Sequence, residues 1–69
     1  MTTEAYSVQA RWRGDKRHSR LDITGRPANM VHALVTVDRV AVETWAARIA
    51  TDPMIESVRV IDANTGRAV

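Results

Sequence analysis

Arginine is the residue type in this chain that could carry chemistry. The cations are nine Arg and a single Lys, and six of the ten fall between positions 11 and 26: Arg11, Arg13, Lys16, Arg17, Arg20 and Arg26. Only Asp15 and Asp22 oppose them there, a local excess of four positive charges, whereas the remaining chain is net −2. Guanidinium groups grip phosphate through a bidentate fork, and nucleic-acid phosphates are the commonest polyanion to meet such a cluster. A two-stranded ribbon carrying the cluster would also fit a major groove. The same pattern fits two other readings: an ordinary solvated face in a protein that uses Arg where others use Lys, and a docking face for an acidic protein partner.

The other reactive residue types are poorly placed for catalysis. There is no Cys, which excludes disulfides, thiolate metal sites and a Cys nucleophile. His18 and His32 lack metal-binding spacing, and His18 lies among cations that would repel a metal ion. Asp38, Glu43, Asp52, Glu56 and Asp62 are spread so that local spacing brings no two together to share a proton. Ser7, Ser19 and Ser57 have no nucleophile elbow around them. His18 and Ser19 are neighbours, so in a strand they point to opposite faces. Three Gly are too few for a phosphate-cradling loop. A domain this small has little volume for an enclosed pocket of several hundred Å³. The expectation is a non-enzymatic binding module with no catalytic residues, no metal, no cofactor and no small-molecule substrate.

The cations need elements to hold them. The 69 residues make one domain, 1–69, and 45% hydrophobic content with 26% charged residues indicates a folded chain rather than a disordered one. Residues 5–13 alternate, with Tyr6, Val8, Ala10 and Trp12 on one face and Ser7, Gln9, Arg11 and Arg13 on the other, which is the pattern of a half-buried strand. Residues 18–24 alternate as well, with Leu21 and Ile23 inward. Gly14 and Asp15 punctuate the two runs, giving a β-hairpin with Trp12 opposite Ser19, Ala10 opposite Leu21 and Val8 opposite Ile23. That register sets Arg11 against Arg20, a like-charge pair that destabilises a sheet by up to about 1 kcal/mol until an anion binds. Arg11, Arg13 and Arg20 then lie on the strands, and Lys16 and Arg17 at the tip.

Residues 30–51 can be read in two ways. One long helix has a polar stripe at Asn29, His32, Thr36, Arg39 and Glu43, but it buries Asp38 and crowds five Val on its apolar side. A break at Asp38 instead gives a strand over 31–37 and a helix over 39–51 with Asp38 as N-cap. The second reading is preferred because it removes the buried aspartate. Asp52 and Pro53 stop the helix, residues 57–62 form a last strand, and residues 67–69 can fold back along it.

The expected fold is α+β. It is a two-layer sandwich in which a mostly antiparallel sheet of three or four strands carries one helix on one face (β-β-β-α-β, or β-β-α-β with a long helix). Trp12 and Trp45 lie in phase with apolar neighbours, so packing explains them better than stacking on bases. Leu34 and Ile61 fall on the uncovered sheet face and form a candidate partner interface. A domain of about 60 residues buries only about 60% of its unfolded surface, so a homodimer or other homo-oligomer, or a protein partner, is expected. No apolar run nears the roughly 20 residues of a membrane span, and residues 1–10 lack a signal-peptide core, so no membrane partner and a cytoplasmic location are expected.

Three strands followed by a helix, with an Arg-rich hairpin, resemble in arrangement the small DNA-binding domains at the N-terminus of some tyrosine recombinases. The resemblance spans about residues 5–51 and implies DNA contact. The leading functional expectation is therefore a nucleic-acid-binding accessory or regulatory protein that uses Arg11, Arg13, Lys16, Arg17 and Arg20. The alternative is an assembly adaptor that meets its partner through sheet edges and the Leu34/Ile61 patch.

Overall fold

In a computed structural model that describes residues 4–29 and 31–69, the order of elements is β1 (Tyr6–Trp12), β2 (Ser19–Arg20), α1 (Arg39–Ile49) and β3 (Ile55–Asp62). The sheet is antiparallel throughout, in the order β2-β1-β3, with α1 packed against β1 and β3. This is the expected α+β class, a sheet carrying one helix. The alternation of β1 explains its central position. Tyr6, Val8 and Ala10 are buried in one cluster with Leu21, Val42, Ala46 and Ile55, and Trp12, Trp45, Ile49, Val58 and Val60 pack around them. Fully burying a Val or Leu side chain contributes about 1.5–3 kcal/mol, so Val8, Leu21 and Val42 carry much of this small core.

The hairpin has the expected faces but a different register. Ala10, not Trp12, pairs with Ser19, and Gln9, not Arg11, pairs with Arg20. A tight turn causes the difference: the Asp15 amide donates to the Trp12 carbonyl at 3.0 Å, and Gly14 sits at φ 88°. The turn uses up Arg13 and Gly14, and residues 15–18 lengthen the connection. A two-residue shift preserves which side chains face the core. It also removes the expected Arg11–Arg20 opposition.

The second strand is cut short. The Asp22 carboxylate accepts from the amides of Thr24 and Arg26 at 2.9 and 3.1 Å, an aspartate-stabilised turn that diverts the chain after Leu21. Ile23 therefore leaves the core and is 76% exposed.

Residues 31–37 form neither the preferred strand nor a long helix, and position 30, where that ambiguous stretch begins, lies outside the described residues. β2 already pairs with the middle of β1, so this segment meets β1 at its Tyr6 end, where the Tyr6 and Thr36 amides donate to each other's carbonyls at 2.7 and 2.9 Å, and the Leu34 amide donates to the Leu21 carbonyl at 2.8 Å. Val31, Val35 and Val37 are consequently exposed, not aligned on a core face.

Asp38 does cap α1. Its carboxylate accepts from the Ala41 amide at 3.1 Å. The helix presents Val42 and Ala46 to the core and ends at Ile49, ahead of Pro53. Beyond β3, Gly66 at φ 75° reverses the chain, and the tail pairs Ala68 with Ile61.

Candidate nucleic-acid interface on the outer face of the sheet

The face of the sheet opposite α1 is built by the second parity of each strand. Arg20 on β2, Gln9 on β1 and Arg59 on β3 form one row, since Gln9 pairs with both of the others. Arg59 Nε donates to Gln9 Oε1 at 2.7 Å, which holds the guanidinium down on the sheet. In the next row Arg11 pairs with Ser57. His18 reaches across to place Nε2 at 3.1 Å from Ser57 Oγ. Burial pushes the His18 imidazole below its ordinary 6.5, and the charges of Arg59 and Arg11 push it further the same way. Because Arg11 pairs with Ser57 and Arg59 with Gln9, the two arginines are diagonal neighbours on this face, beside the His18–Ser57 contact.

At the hairpin end, Arg13, Lys16 and Arg17 are exposed. Arg13 Nε donates to the Pro53 carbonyl at 2.6 Å, and Arg11 Nη1 donates to the Asp15 carbonyl at 3.1 Å. Thus Arg11 and Arg20 lie on the sheet as expected, Lys16 and Arg17 on the connection, and Arg13 at the turn, just past the end of β1.

Two members of the site were not singled out from the sequence. Arg59 shares the parity of Arg11 across β3, a signal that alternation in residues 57–62 already carried. Glu56 gave no such signal. The pairing slips between Arg11 and Trp12, where Ile55 and not Glu56 lies opposite Trp12. This bulge leaves Ile55 in the core and turns Glu56 outward. Its carboxylate then stands 4.0 Å from Arg11 Nη2 and 3.9 Å from Arg13 Nη1. Both ion pairs are long and partly solvated, so each is worth less than about 1 kcal/mol.

The expected Leu34/Ile61 patch does not form. Ile61 is fully buried beside Ser7, whose hydroxyl donates to the Leu34 carbonyl at 2.6 Å. Leu34 instead lines a groove with Ala41, Val42 and Trp45 on the helix side. The two residues separate because 31–37 never becomes a sheet strand. The sheet edges are covered in part, β3 at its Val60–Asp62 end by the tail and the chain at and after β2 by the Pro27–Ala28 segment.

His32 is exposed, and no three His, Cys, Asp or Glu among the described residues are grouped to hold a metal ion. Among those residues no helix is long and apolar enough to cross a membrane. The arrangement also departs from the recombinase-like one, because among the described residues two strands, not three, precede the helix. No protein-family model, curated protein or solved structure matches the chain.

Proposed function

We propose that this protein is a small, non-enzymatic nucleic-acid-binding module, accessory or regulatory in role, that holds phosphates on the outer face of its sheet. The observation that carries the reading is the strand register, which sets Arg11 and Arg59 as diagonal neighbours beside the His18–Ser57 contact, with Arg20 in the row of Arg59 and Arg13, Lys16 and Arg17 beyond. The face is accessible from the Gln9 row to the hairpin, while Ser7 and Ile61 beyond it are covered; such an accessible stretch suits a polyanion, and Arg forks suit its phosphates. Anisotropy of labelled duplex and single-stranded DNA across salt concentrations tests it. Six cations on phosphates give a slope of log K against log salt of about −5 for duplex. Absence of binding at low salt, or binding indifferent to Arg11→Ala with Arg20→Ala, refutes the proposal.

A second reading, self-association or docking to a protein partner, is favoured by exposed Val31, Val35, Val37 and Val40 in and beside one segment. Light scattering over a range of concentrations separates a monomer from a dimer.

A further inference from the structure

Both tryptophans open onto one groove. A cleft of about 350 Å³ lies between the C-terminal half of α1 and the turn at residues 23–25, lined by Trp12 from the end of β1, Trp45 from α1 and Ile55. This falls in the roughly 300–1,000 Å³ range of small-ligand sites, a volume not expected of so short a chain. Each indole packs against the core yet stays only half-buried, which leaves ring surface toward the cleft. Arg48, Asp52 and Thr24 bring a cation, a carboxylate and a hydroxyl to the same place. Trp12, Thr24 and Asp52 also line an adjoining opening of about 630 Å³, which adds Arg13, Arg26 and Asp15. One continuous groove thus leads from two indoles to two guanidinium-bearing side chains, one of them part of the basic hairpin.

The geometry points to a stacking site for an unpaired nucleobase, with the attached sugar-phosphate continuing over Arg13 and Arg26 toward the hairpin. The inference rests on the nucleic-acid reading above and adds to it a site that only unpaired bases can fill. A planar ring stacks on an indole face whatever its sequence. An aliphatic occupant would desolvate the Arg48 guanidinium and the Asp52 carboxylate, of which only Oδ1 accepts a bond in return, from the Met54 amide at 2.9 Å, whereas a base edge offers both donors and acceptors. The phosphate that follows a base meets the cations at the other end of the groove.

The chain has two Trp, both on this groove, so intrinsic emission reports occupancy directly. Three probes are titrated: oligo(dT) of about ten nucleotides, an abasic strand of equal length, and a duplex. Oligo(dT) is expected to quench emission and to bind about 5- to 100-fold more tightly than the abasic strand. Trp45→Leu is expected to bring oligo(dT) to the abasic level while duplex affinity holds, and Trp45→Phe to restore the preference. Arg48→Ala, on the exposed side of α1, gives an independent loss of the preference if Trp45→Leu fails to fold. Equal affinity for oligo(dT) and the abasic strand, with emission unquenched, overturns the stacking site and leaves the phosphate-binding face standing. Failure of all three probes to bind at low salt overturns both.

Discussion

Glu56→Gln should strengthen polyanion binding. The substitution keeps the side chain's shape and removes the charge that stands 4.0 Å from Arg11 and 3.9 Å from Arg13. Unit charges 4 Å apart interact by about 1 kcal/mol in water, and Glu56 is 43% exposed, so the aqueous end of that range applies. Without the carboxylate, Arg11 and Arg13 no longer exchange an intramolecular partner for a phosphate, and an incoming phosphate no longer meets a like charge. A net gain of about 1 kcal/mol is about fivefold in affinity. Arg13 stays positioned because its Nε bond to the Pro53 carbonyl does not involve Glu56. Folding stability should fall by less than about 1 kcal/mol, as for other solvated ion pairs. Anisotropy with labelled duplex at about 50 mM salt reads the gain, which should shrink as salt rises and screening shortens to a few ångströms. Unchanged or weaker binding at low salt would show that phosphates do not approach the Arg11–Arg13 end of the face.

Three further predictions concern the frame that holds the site. Leu21→Ala should destabilise the domain by about 2–5 kcal/mol, since Leu21 is fully buried where β2 ends; a denaturant midpoint that stays put would contradict the core described above. Asp38→Ala should cost about 0.5–2 kcal/mol by freeing the Ala41 amide, read as a lower thermal midpoint and less helical circular dichroism. His18 is held below its ordinary 6.5 in the folded state, so the unfolded chain takes up the proton first as pH falls. Stability from this group is full above 6.5 and declines as pH drops toward the lowered folded value. His18→Gln should flatten the stability profile in that window, and a histidine ring signal titrating at or above 6.5 for His18 would refute the burial argument.

Much of this architecture is legible in the chain because period-2 alternation is a local signal. The inward and outward sets of β1 and of residues 57–62 follow from it, and so does the placement of Arg11 and Arg20 on one face. Asp38 is legible too, because a carboxylate at the head of a helix has a defined use. What escapes is whatever depends on competition for partners. The reach of β2 depends on Asp22 closing its own turn at Thr24 and Arg26, and alternation through Ile23 conceals this. The fate of residues 31–37 depends on β2 already occupying the middle of β1, which leaves isolated contacts at Tyr6 and Leu21 for a valine-rich segment that would otherwise pair as a strand. The slip before Trp12 moves Glu56 from one face to the other, and a single extra residue in an otherwise regular strand leaves no trace in composition or spacing.

That slip ties the fold to the charge of the site. In an unbroken register Glu56 would pair with Trp12 and point to the helix side, into the place that Ile55 fills in the core, where burying a carboxylate costs several kcal/mol. The bulge resolves this conflict by giving the inward place to Ile55 and setting Glu56 among the arginines. The basic face is therefore partly self-neutralised at the hairpin end, whereas among the described residues no ion pair forms at the Arg20–Arg59 row, where the partner of Arg59 is a neutral amide. A polyanion should be held most firmly on that row, and most weakly and with the greatest sensitivity to salt at Arg11 and Arg13. Arg59→Ala should accordingly lower duplex affinity more than Arg13→Ala, with the salt slope falling by about 0.9 for each phosphate left without its cation. The reverse order of effects would place the ligand on the turn and not on the sheet.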